Sequence, residues 1–251
     1  GEAGKKKGIT TTLPLALGKL QEQGEIRRVP TNRRLDQQRY GYGVWKENPL
    51  KGFKMTRDEC FVELARRYFA WIGPATLGEF AQFAGLGVGA SKKAVEGLGL
   101  MVMQDDLLLL PEQEQEFAAF KAPKEPINSL VSSLDGITLL RRNLTSLVDD
   151  ADVKDPLWKS LGAQGAWGSL RDLPSHAVVD RGRIVGMWEF DPQEKRIVWG
   201  SFVKPTPALR DAVEKMEAFV REDLGDARSF SLDSAKSRVP RIVGLRKRMK
   251  L

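Results

Sequence analysis

The chain has 251 residues, 41% hydrophobic and 29% charged, with a formal net charge of +7. That balance suits apolar cores in two or three domains, and no apolar run approaches the roughly 18 residues of a membrane span. One cysteine, Cys60, and one histidine, His176, exclude an intrachain disulfide and a zinc site of about four Cys and His ligands, so neither a metal nor a cofactor is expected.

The start carries Lys5, Lys6 and Lys7 but no unbroken apolar stretch of the signal-peptide kind. This places the chain in the cytoplasm, with no membrane partner. The positive balance favours a polyanion. The first predicted element is a helix capped by one of Thr10 to Thr12, with Pro14 in its first turn and Leu13, Leu17 and Leu20 on one face. Gly24 closes it. Two extended runs follow, residues 25–30 and 37–45, around a polar turn from Thr31 to Asp36. Helix, strand, basic turn, strand is how a winged-helix domain ends, the hairpin wing touching DNA backbone or minor groove. Arg28, Arg33 and Arg34 on this wing are therefore candidate DNA contacts. A complete module needs two helices before Thr10, so residues 1–50 read as a partial winged helix.

The stretch 51–120 reads as a whole one. Thr56 begins a helix with Asp58 and Glu59 in its first turn and Phe61, Leu64, Ala65, Tyr68, Phe69 and Ile72 on one face. Gly73-Pro74 ends it, and a short helix runs from Thr76 to Ala84. A third, near 90–98, precedes two apolar strands at 100–103 and 107–110. Two readings stay open for this module. Lys92 and Lys93 contact phosphates, or the module is a structural brick, its wing tip being acidic at Asp105 and Asp106. Cys60 is read as a small buried hydrophobe.

An acidic helix near 112–120 leads to a linker, Lys121-Ala-Pro-Lys-Glu-Pro126. Residues 127–251 turn to strands. Leu130-Val131 and Ile137 to Leu140 are extended, 176–188 is a hairpin around Asp180-Arg181-Gly182, and 196–203 adds a further strand. Arg181 and Arg183 on this hairpin are weaker candidate DNA contacts. A long helix starts at Pro207, and a basic tail, Arg238 to Lys250, either touches DNA or is a solvated end. His176 has no Gly-x-Ser-x-Gly elbow to serve, and no Walker loop is present. The fold expected is α+β: tandem winged-helix modules, then a C-terminal antiparallel β-barrel-like domain with a long helix.

The run from Ala65 to Thr76, ARRYFAWIGPAT, continuing LGEFAQFAGL to Leu86, resembles the winged-helix DNA glycosylases of the AlkZ and YcaQ type. Leu134-Asp135-Gly136, followed by Arg141 and Arg142, and the 178–188 hairpin are similar to later landmarks of that family. The resemblance implies three winged-helix modules and a small β-barrel lining a basic channel for double-stranded DNA. It implies excision of alkylated bases or unhooking of crosslinks. The family's catalytic element is a Gln-apolar-Gln or Gln-apolar-Asp triplet. Here Gln21-Glu22-Gln23 and Gln113-Glu114-Gln115 have the spacing but a charged centre, and lie in the wrong modules. The chain reads as starting after the catalytic module, so no catalytic residue is assigned. Excision is expected only where an N-terminal module completes it. Oligomeric state is not legible. The competing readings are a winged-helix transcriptional regulator and a non-catalytic protein-interaction scaffold.

Overall fold

The computed structural model describes residues 11–31, 40–141, 143–162, 172–230 and 233–249. The chain divides into two compact units, Gly1–Met55 and Thr56–Leu251.

In the first unit a helix, α1 (Leu13–Glu22), leads into an antiparallel pair, β1 (Ile26–Pro30) and β2 (Tyr40–Val44). Pro14 occupies the first turn of α1 as expected. The chain leaves α1 through Gly24 at φ +69, a region that only glycine enters freely. Asn48 locks this exit, its amide donating to the Gln23 carbonyl at 2.8 Å. Its Oδ1 lies 2.4 Å from where a Cβ on residue 24 would stand, so any side chain there would break the lock. None of the described apolar side chains of this unit is fully buried.

The second unit opens with three helices, α2 (Arg57–Ile72), α3 (Leu77–Ala84) and α4 (Val88–Val95). Both α2 and α3 start with a capping box, Thr56 with Glu59 and Thr76 with Glu79. Each box satisfies amide groups that a helix start leaves unpaired. Buried Ala65, Tyr68, Phe69 and Ile72 repeat at three- and four-residue spacing on α2 and meet Phe80, Ala94 and Leu110 in one core. A short pair, β3 (Met101–Val102) and β4 (Leu108–Leu109), follows. Ala75 bridges to Leu108 beside it. A short helix, α5 (Glu114–Ala119), precedes the segment with the expected linker. The next stretch is stapled back onto the helices. The Tyr68 hydroxyl donates to the Leu140 carbonyl at 3.0 Å, and Arg141 donates to the Ile72 and Pro74 carbonyls.

The remainder is a four-stranded antiparallel sheet in the order β5 (Asn128–Val131), β6 (His176–Asp180), β7 (Arg183–Asp191), β8 (Arg196–Ser201). Arg181 and Gly182, at φ 48 and 85, make the tight β6–β7 turn. Side chains alternate between two cores. Ala177, Ile184, Met187 and Val198 face α7 (Pro156–Ser160) and α9 (Ala235–Met249). Val178, Trp188, Phe190 and Trp199 face α8 (Pro207–Phe219). Helices therefore cover both faces.

Three expectations are corrected here. The described strands form no closed barrel, since β5 and β8 are the two edges of an open sheet. The physical reason lies in the strand sequences. Ala177-Val178-Val179 and Ile184-Val185 are apolar on consecutive residues, as strands covered on both faces must be. Second, the run from Ile137 to Leu140, expected to be extended, falls in a short helix, α6 (Gly136–Leu139). Asp135 starts it by accepting the Ile137 amide at 2.9 Å. Third, the basic tail is helix α9, with Arg238 only 2% exposed. Its arginines are drawn inward by carboxylates of the sheet and of nearby loops.

Candidate nucleic-acid interface

In β1 and β2, paired residues share a face of the ribbon. Arg28 stands opposite Tyr42, and its guanidinium lies 4.4 Å from the centre of the Tyr40 ring on the same face. Arg27 stands opposite Gly43 on the other face, 4.8 Å from the Trp45 ring centre. Gly41 and Gly43 carry no side chains, and Val29 leans over Gly43 on that face, its Cγ2 3.0 Å from where a Cβ there would stand. Tyr40 and Tyr42 meet edge to face at 5.6 Å. Both tyrosines and Trp45 remain more than a third exposed. The alternating aromatics of residues 40–45 were visible in the sequence. Their pairing with Arg27 and Arg28 was not, because it depends on strand register. Arg33 and Arg34 lie outside the described residues.

Charge is distributed unevenly. Residues 1–55 hold twelve Lys and Arg against five Asp and Glu, a net charge of +7. Residues 56–251 hold the other 28 basic and 28 acidic side chains and sum to zero. The whole excess falls in the sequence segment that contains the arginine–aromatic ribbon, and such a balance favours a polyanion. Bare rings beside guanidinium groups add flat surfaces on which bases or sugars can stack.

In the second unit, Lys92 is exposed on α4 and has no side-chain partner among the described residues. Lys93 is committed to Asp58 at 2.6 Å. Their hydrogen bond holds the Asp58 carboxyl below its usual range and Lys93 above its own. Arg181 gives its donors to Asp180 and to the Pro123 and Lys124 carbonyls. Arg183 is paired with Asp149. The structure thus leaves Arg28 and Lys92 facing solvent without a carboxylate, and ties Lys93, Arg181 and Arg183 to acidic neighbours.

The glutamine triplets are likewise engaged locally. Gln21 donates to the Leu17 carbonyl at 3.2 Å and Gln113 to the Ala70 carbonyl at 3.0 Å. His176 is buried and stacked on Trp188 at 4.2 Å between ring centres. Its Nδ1 accepts the Ser133 amide at 3.0 Å. Burial pushes its pKa down to about 3, and the Arg241 and Arg238 charges push the same way. Beside it, fully buried Glu189 accepts from Ser175, Ser229 and Arg241. Burial pushes its carboxyl up, and Arg241 opposes that most. Among the described residues no group of three or more His, Cys, Asp or Glu is arranged to hold a metal. No described helix is long and apolar enough to cross a membrane.

A family model described as "DNA glycosylase AlkZ-like" matches residues 4–222. The structure of the Streptomyces sahachiroi DNA glycosylase AlkZ superposes with a TM-score of 0.54 at 23% sequence identity, over 82% of this chain. The match covers 53% of that protein, so the chain spans about half its length. At that identity the likeness concerns the fold alone. No curated protein matches the chain.

Proposed function

Because this chain belongs to the DNA glycosylase AlkZ-like family, we propose that it is the DNA-gripping part of a repair glycosylase for alkylated or crosslinked bases. The observation that carries this reading is the concentration of the +7 excess in residues 1–55, around a ribbon whose arginines lie over exposed aromatic rings. On this reading residues 1–50 and 51–120 are winged-helix modules, the second with α4 as the helix presented to DNA, and 127–251 form the third part. Arg28, Arg33, Arg34 and Lys92 take backbone phosphates of double-stranded DNA. Lys93 joins them if phosphate displaces Asp58, while Arg181 and Arg183 serve as secondary contacts. Cytoplasmic location accords with such a role.

No residue here is assigned to excision. Base removal needs a water positioned beside an extruded nucleotide, and the first glutamine of each triplet donates to a backbone carbonyl instead.

Binding to plain and alkylated duplexes across a salt series, with base release followed in the same tubes, tests the reading. The expected result is salt-dependent binding, with the slope reduced by about one unit for each phosphate-contacting side chain removed. Charge reversal at Arg28, Arg33 and Arg34 that left affinity and slope unchanged would overturn the assignment. Binding confined to one preferred sequence would favour a transcriptional regulator, and no binding at low salt would favour a scaffold.

A further inference from the structure

In residues 56–251, where positive and negative charges cancel, one cavity departs from that balance. It measures about 510 Å³ and lies among the end of β8, the 202–205 segment, Arg210 on α8 and the last turn of α9. Its lining includes Lys204, Arg210 and Arg248 and no carboxylate. The Lys204 and Arg210 side chains are exposed and have no partner among the described residues.

Arg248 is held in place. Its Nε donates to the Ser201 carbonyl at 3.2 Å and one Nη to Asp155 at 2.8 Å. The other Nη has no partner among the described residues. Gly200 makes this position possible. A Cβ there would stand 2.9 Å from the Arg248 Cγ and 3.2 Å from its Cβ, so the arginine stem crosses β8 only over bare backbone. Three cations line the site with no carboxylate among them, Asp155 and Asp152 standing behind Arg248 alone. Like charges held around one cavity repel unless an anion sits among them.

We propose that this cavity binds the phosphate group of a nucleotide. A fixed guanidinium edge with two mobile cations matches the several oxygens of a phosphate. The volume exceeds a bare phosphate and leaves room for a sugar or base beside half-buried Phe202, whose ring is backed by Trp158 at 5.0 Å. The phosphate belongs either to a free nucleotide or to a nucleic-acid strand. The site stands on the second unit alone and does not depend on the hairpin reading.

The test titrates the full chain and its Lys204→Ala/Arg210→Ala variant with pyrophosphate, thymidine 5′-monophosphate and duplex DNA by calorimetry. Both small probes are expected to bind the unaltered chain, and the variant to bind them about tenfold or more weakly. With a strand as the natural source, the variant's DNA salt slope also falls by about two. With a free nucleotide, the DNA slope is unchanged while the small probes are lost. Gly200→Ala, which keeps both mobile cations but displaces Arg248, weakens the small probes too. Failure of the unaltered chain to bind either small probe at low salt would overturn the proposal, as would undiminished binding by the double variant. If Arg27→Ala/Arg28→Ala removed pyrophosphate binding instead, the phosphate seat would lie on the hairpin. This proposal would then fail while the DNA-gripping reading stood.

Discussion

In residues 1–55 twelve basic side chains meet five acidic ones, and described Arg27 and Arg28 lie against exposed rings rather than carboxylates. In residues 56–251 the two signs are equal in number, and the arginines of α9 reach Glu189, Asp191, Asp226, Asp233 and Asp155. The same residue type thus does two jobs. The arginines of α9 neutralise buried or half-buried carboxylates and fasten that helix to the sheet. In the first unit arginine is surplus charge available to a partner. Net charge for the whole chain conceals this division, and only the placement of acidic neighbours reveals it.

The largest expected effect probes the inward-facing arginines. Arg241→Met leaves Glu189, fully buried, with only serine donors. Loss of one member of a buried pair costs about 3–5 kcal/mol, to be read from chemical denaturation. The DNA salt slope should stay as it was. A shift in slope would break the distinction between the two arginine populations.

Charge reversal in the first unit, Arg27→Glu with Arg28→Glu, is expected to do the opposite. Duplex affinity at low salt falls by about a hundredfold and the slope by at least two, with little change in denaturation midpoint. A large fall in midpoint with unchanged affinity would make these arginines structural.

The pH dependence of stability belongs to the second unit. His176 is depressed from 6.5 to about 3 in the fold, so the unfolded chain binds the extra proton between those values. Stability is therefore full above about 6.5 and falls as pH drops toward 3. Glu189, raised by burial, acts in the opposite sense above the ordinary glutamate range. His176→Gln should flatten the acid-side loss in a series of thermal melts. An unchanged profile would assign that loss to other groups.

The smallest effect sharpens the comparison at α4. Lys92→Ala should lower the salt slope by about one, and Lys93→Ala by less, because Lys93 is already paired. Asp58→Asn frees Lys93 and should steepen the slope. Equal slopes for all three variants would remove α4 from the interface.

Much of the helical part was legible in the sequence. The spacing of Ala65, Tyr68, Phe69 and Ile72 and the caps at Thr56 and Thr76 act within a few residues of one another, where pattern and structure coincide. The family was legible for the same reason, in the block from Ala65 to Leu86. The C-terminal sheet was harder. Its strands could be read, but whether they close on themselves or are covered by helices depends on contacts between residues far apart, such as Met187 with Leu245 in one core. The tail stayed open between DNA contact and a solvated end because the carboxylates that Arg238, Arg241, Arg246 and Arg248 reach are far away in sequence. The Lys204, Arg210 and Arg248 cavity could not be read at all, since it joins side chains that only the fold brings together.

The position of α9 has a consequence for synthesis. Chains emerge from the ribosome N-terminus first, and domains tend to fold as they appear. The three-helix core is filled by residues up to Leu140, so it can close while much of the chain is still being made. One face of the sheet is filled by Ile242 and Leu245, and fastened by Arg248 to Asp155. Until translation has passed residue 248, that face has only α7 and the segments around it as cover, and the part filled by Ile242 and Leu245 stays open to water. The ribosome-bound chain therefore carries a half-covered sheet, and its last apolar gap closes only when the C-terminal helix arrives.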